Sequence, residues 1–170
     1  QITLRTETGN SHISPVIDTT RLSAHLIQNR LNNPVSGTTP EFAEETLNLG
    51  GSVANKYITK PIILENESTA FDIRITANVA STAVVKMYYK LSNADDARKM
   101  GDLAWVGFNS DGTPDSAVEP SENRFQFKEH KYSASNLTTF TAFQLKITMS
   151  GTSSSYPPRV KDLRGIALAV

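Results

Sequence analysis

Strict alternation of apolar and other residues is the feature that most constrains the fold of this chain. It runs through residues 71–79, 85–91 and 143–149. Successive side chains of a β-strand point to opposite faces, so alternation of this kind predicts half-buried strands. The residues predicted to face a shared core are Phe71, Ile73, Ile75, Val85, Met87, Phe143, Leu145 and Ile147.

Shorter strand-like stretches fill much of the sequence between residue 53 and the C-terminus. They are separated by turn-forming residues, as at Asn109-Ser110-Asp111-Gly112, Ser150-Gly151 and Pro157-Pro158. No alternation of strands with long helices is visible, which argues against a parallel sheet. Residues 53–170 are therefore predicted to form an all-β domain, an antiparallel β-sandwich of jelly-roll-like type.

The last predicted strand, residues 163–170, has a face of small residues. Gly165, Ala167 and Ala169 alternate with Ile166, Leu168 and Val170. Small side chains allow close packing, so this strand is expected to be internal and covered on both faces.

Residues 1–52 have a different composition and are predicted to form an extended, loop-rich N-terminal arm. They are rich in Thr, Ser and Asn and are broken at Ser14-Pro15 and Asn33-Pro34. Thr39 and Pro40 are a plausible start for a short helix ending near Leu47. Within 22–27, Leu22, Ala24 and Leu26 alternate as in a strand, but the same segment also fits a helical stripe.

The apolar residues of this arm are too few to form a core, and they are predicted to bind partners instead. They are Ile2, Leu4, Ile13, Val16, Ile17, Leu22, Leu26 and Ile27. Ordering such a segment costs about 1–2 kcal/mol per residue in backbone entropy, so substantial apolar burial must hold it. The alternative is that the arm folds back and adds strands to the edge of its own sandwich.

Composition narrows the classes of function. Lys and Arg total 17, as do Asp and Glu, so the formal net charge is zero and gives no general attraction to nucleic acid or to a membrane surface. Cysteine is absent, and no apolar run approaches the ~20 residues of a membrane-spanning helix. Neither nucleic acid nor a membrane is predicted as a partner.

No combination of residues predicts chemistry. His12, His25 and His130 are far apart and lack metal-binding spacing. Residues 109–113 weakly resemble a calcium loop, but a tight turn explains them better. No nucleophile or phosphate-binding motif is found, so the sequence predicts no catalytic residue, cofactor or metal.

Aromatic residues suggest one alternative function. Tyr88, Trp105 and Tyr132 could stack on sugar rings if they were exposed together. The same residues could equally belong to the core of a sandwich.

Several ordered segments give the chain a resemblance to a known class of proteins. They are Ser14-Pro15-Val16-Ile17-Asp18, residues 57–62 (YITKPI), 71–75 (FDIRI), 85–90 (VKMYYK) and 158–169 (PRVKDLRGIALA). Together they resemble a C-terminal β-module of structural proteins from contractile-tailed bacteriophages, found in the baseplate, tail or fibre region.

This resemblance implies a virion structural protein without catalytic residues. The expected partners are other virion proteins, with the chain present as a homo-oligomer or as repeated copies in the particle. Its expected location is the phage particle, assembled in the cytoplasm of the bacterial host. The alternative is a carbohydrate-binding module of a phage receptor-binding or cell-wall-targeting protein.

Overall fold

The computed structural model describes residues 44–53, 55–153 and 156–168, which form an antiparallel β-sandwich. The strands are β1 (Asn55–Ile58), β2 (Ile62–Ser68), β3 (Ala70–Asn78), β4 (Ala83–Ser92), β5 (Val106–Gly107), β6 (Lys128–Ala134), β7 (Phe140–Gly151) and β8 (Arg159–Leu168). Short 3-10 turns cover Met100–Asp102 and Phe108–Ser110. The first sheet has the order β1-β7-β4-β5, with β2 also paired to β7, and the second has the order β6-β3-β8.

The strand order is that of a jelly roll. Strands β1 and β2 pair with successive parts of β7, through Ile58 opposite Lys146 and Ile62 opposite Phe143, so together they occupy one strand position. An eight-stranded jelly roll has one more strand before this position, paired with the last strand of the chain. No described strand occupies that place, and β8 is therefore an edge strand in the described part of the chain.

The core lies between the two sheets, and the alternating segments supply most of it. All eight residues predicted to face the core are buried there, so that prediction is confirmed. The Phe71 ring lies at the centre of an aromatic group, with ring centroids 5.1 Å from Tyr89 and 5.3 Å from Phe140. Such edge-on contacts add to the stability gained from apolar burial.

The predicted double coverage of the C-terminal strand is wrong for the described residues 163–168. Ile166 is 63% exposed and Leu168 is 48% exposed, because their side chains lie on the outer face of the second sheet, which no described segment covers. The presence of a small residue at Gly165 is explained by one local contact. A Cβ atom there would lie 2.7 Å from Ile73 Cδ1, so glycine makes room for one core side chain on the neighbouring strand.

Candidate interaction surface

A groove opens along one side of the sandwich, where β1 of the first sheet faces β8 of the second. Its volume is about 650 Å³. Ile147 and Met149 on β7 lie at its base, and Val160 and Leu163 on β8 form one wall. Tyr57 on β1, 54% exposed, lines the other side. Apolar side chains that pack against the core thus line an opening on this side of the molecule.

The rim of this groove is cationic. The Arg159 guanidinium lies 5.4 Å and the Lys161 ammonium 5.7 Å from the centroid of the Phe127 ring. Among the described residues, neither cation has a carboxylate within 4 Å. Asp162 also lines the groove, but its carboxylate accepts a hydrogen bond from Arg164 Nε at 2.9 Å. The groove therefore suits an apolar segment that lacks positive charge.

Further apolar side chains are exposed along the strands that border the groove. Ile58 on β1 and Ile63 on β2 are 42% and 82% exposed, and Ile166 and Leu168 are exposed on β8. Their side chains lie on the outer faces of the two sheets, since Ile58 is paired with Lys146 and Ile166 with Asp72, whereas the groove opens between the sheets. We refer to the groove as the open side of the sandwich.

A second feature lies on the outer face of the first sheet, which is covered by residues 44–53. We call this segment the strap. The Lys146 ammonium of β7 lies 3.0 Å from the Glu45 carboxylate, and it donates hydrogen bonds to the Glu45 and Gly50 carbonyls. The second Glu45 carboxylate oxygen accepts a bond from the Val53 N–H at 2.7 Å. A buried ion pair therefore holds the strap against the sheet.

Aromatic rings enclose the cations beneath the strap. Lys146 Nζ lies 4.6 Å from the Tyr88 ring centroid and 4.9 Å from that of Trp105, and Lys90 Nζ lies 4.6 Å from Trp105. Burial lowers the pKa of the Lys146 ammonium, while its contacts with Glu45 oppose that shift. Burial also raises the pKa of Tyr88 to about 12, with a further contribution from the negative charge of Glu45. The Lys146 ammonium is thus partnered by the Glu45 carboxylate and by two aromatic rings, and this arrangement anchors the strap.

The strap also corrects one prediction from the sequence. Residues 44–49 form successive turns and not the end of a helix, with Glu44 in the left-handed region at φ 59°. This conformation directs Glu45 inward to Lys146. Within residues 44–52, the end of the predicted arm, Glu45 and Gly50 are buried against the sheet.

The three aromatic residues considered for sugar binding do not form an exposed surface. Tyr88 and Trp105 are buried under the strap, and Tyr132 is fully buried between the sheets. The Tyr132 ring lies 5.7 Å from that of Phe108, on the other side of the first sheet from the strap. A side chain on the outer face of a sheet is not exposed when another segment covers that face.

Sequence reasoning missed Glu45 and Lys146. Lys146 lies on the polar face of an alternating strand, where a lysine is ordinarily exposed, and 101 residues separate it from its partner. No local signal marks either residue. The residues predicted to bind partners (Ile2, Leu4, Ile13, Val16, Ile17, Leu22, Leu26 and Ile27) all lie outside the described residues.

The described residues contain no group of three His, Asp or Glu side chains that could hold a metal ion. Residues 109–113 form the predicted tight turn, with Asp111 Oδ1 accepting bonds from the Thr113 N–H at 3.1 Å and its hydroxyl at 2.7 Å. Within these same ranges there is also no helix of the length and apolarity needed to cross a membrane.

Comparison with known proteins found no match: no family model, curated protein or solved structure is significantly similar to this chain.

Proposed function

We propose that this chain is a non-catalytic structural protein of a tailed bacteriophage particle, a packing module of its tail, baseplate or fibre region. The observation that supports this proposal is the open side of the sandwich. A rigid two-sheet core there presents an apolar groove to a neighbour. Subunits that pack in an assembly bury apolar surface of this kind.

The proposed partners are other virion proteins or further copies of the chain. The N-terminal segment adds a second contact, because apolar clusters at Ile2/Leu4 and Ile13/Val16/Ile17 precede the strap. A tethered segment of this type strengthens association without changing the main interface.

The proposal is tested on particles purified from a lysate of a strain that carries the gene. Antibodies against the chain should label these particles in immunogold electron microscopy at the tail, baseplate or fibres. The control is an isogenic strain in which the gene carries a stop codon early in the coding sequence. Intact purified particles that lack the chain, while the soluble lysate contains it, would contradict the proposal.

No observation favours the carbohydrate-binding alternative, because Tyr88, Trp105 and Tyr132 are buried.

A further inference from the structure

The open side of the sandwich lies where a jelly roll has one more strand than the described residues supply. Strand β8 is ten residues long and pairs with β3 on one side only, so in the described structure its other edge has no partner strand. The groove lies beside that edge and above β1. This is the place that a jelly roll gives to the strand preceding β1. Long unpaired edges are uncommon in natural sheets, because they invite pairing with other chains.

The direction of the chain allows a segment that precedes the strap in the sequence to occupy this position beside β8. Asn55, at the start of β1, pairs with Met149 near the end of β7, so β1 begins at the end of the sandwich where β8 begins after its connection from β7. A strand antiparallel to β8 would finish at this same end. From there the chain has to pass only to the strap and then into β1.

We propose that residues 22–27 are this strand. They pair antiparallel with β8 of their own chain and place Leu22, Ala24 and Leu26 over the groove. The inference goes beyond the proposed function, since it holds wherever the protein acts.

Three properties suit residues 22–27 to this place. Leu22, Ala24 and Leu26 alternate with Ser23 and His25, which gives one apolar face. The segment contains no Lys, Arg or Pro, so it brings no positive charge to the rim at Arg159 and Lys161 and can donate every backbone N–H.

The third property is the distance along the chain. Residues 28–43 connect the segment to the strap and can span about 55 Å when extended. The Ile13/Val16/Ile17 cluster contains Pro15 and requires a longer connection, as does Ile2/Leu4. The connection from residues 22–27 is the shortest of the three, and a shorter tether gives a higher effective concentration at the groove.

The test uses spin labels on the full chain, which has no cysteine of its own. One label is attached at Lys161→Cys on the rim of the groove, and a control label at Lys99→Cys, an exposed residue in the loop after β4. Broadening of amide resonances is measured in a labelled ¹⁵N chain. A second sample mixes unlabelled ¹⁵N chains with spin-labelled ¹⁴N chains, so that only contacts between chains are detected.

In the first sample, the label at 161 is expected to cause selective loss of the resonances of residues 22–27. The label at 99 should not cause this loss, and it should not occur in the mixed sample. Broadening confined to the mixed sample would mean that a second copy fills the groove, and the proposal would be wrong. Absence of the effect from both samples would overturn it equally. Neither result bears on whether the chain is present in phage particles, so the two proposals fail separately.

A matched pair of variants tests the orientation of the segment. Ala24→Lys puts a positive charge on the face directed at the apolar groove and its cationic rim, and it should abolish the broadening. Ser23→Lys places the same charge on the outward face and should preserve it. Equal behaviour of the two variants would overturn the assignment of Leu22, Ala24 and Leu26 to the groove.

Discussion

Lys146 and Glu45 form an ion pair with a 3.0 Å separation, and the two side chains are 0% and 3% exposed. Removing a charge from water is unfavourable, and only a close partner with further hydrogen bonds compensates for it. Here the Glu45 carbonyl and the Val53 N–H complete the arrangement. The pair therefore links the strap to β7.

Replacing Glu45 with Gln should destabilise the fold strongly. The substitution leaves the Lys146 ammonium buried without its counter-ion, a change that typically lowers the free energy of unfolding by about 3–5 kcal/mol. Urea denaturation measures the loss. The double variant Glu45→Gln/Lys146→Met should recover part of it, because it removes the buried charge as well. If Glu45→Gln unfolds at the same urea concentration as the parent chain, the pair does not anchor the strap.

Gly51→Ala should also disturb the strap. Gly51 has φ +72°, and a Cβ atom there would lie 2.4 Å from Glu45 Oε1 and 2.6 Å from Glu45 Cα. The left-handed backbone alone costs a non-glycine residue about 1–3 kcal/mol. Gly101→Ala is the matched control, since a Cβ at Gly101 meets nothing within 4 Å. Thermal melts should show a clear decrease for the first variant and little change for the second; similar melting temperatures would contradict this account.

Stability should fall as the pH decreases below about 6.5, the ordinary pKa of histidine. Burial, with a contribution from the nearby charge of Lys128, lowers the pKa of His130 in the fold. Between the lowered folded-state pKa and 6.5 the unfolded chain binds a proton that the folded chain does not. Acid therefore favours unfolding, and the stability present above pH 6.5 is lost as the pH falls through the folded-state pKa.

Melting temperatures of the parent and His130→Gln between pH 7.5 and pH 5 measure this effect. The parent should lose more stability than the variant over that interval, because only the parent carries the buried imidazole. Parallel profiles would show that His130 makes no contribution.

Ile73→Ala should lower the free energy of unfolding by roughly 2–5 kcal/mol, the range for truncating a large buried side chain. Ile73 is 0% exposed between the sheets. Ile63→Ala removes the same atoms from a residue that is 82% exposed and should change stability by less than about 0.5 kcal/mol. Equal effects of the two substitutions in urea denaturation would be inconsistent with the described core.

The sequence by itself determined the fold class and the composition of the core. Alternation is a local property of a strand, and one face of Phe71, Ile73 and Ile75 has to leave water whatever the partner strand is. The same pattern predicted the contributions of Met87 and Leu145. Turn-forming residues fixed the separations between strands, as at residues 109–113.

Only the tertiary structure decided which of the remaining faces are covered. Lys146 and Tyr88 lie on a face that local pattern assigns to solvent, yet a segment about 100 residues from Lys146 in the chain folds over it. Conversely, Ile166 and Leu168 look like buried residues and are exposed, because no described segment covers the outer face of the second sheet. The position of a strand within a sheet, and what packs on its outer face, depend on contacts between distant parts of the chain, and no local periodicity encodes them.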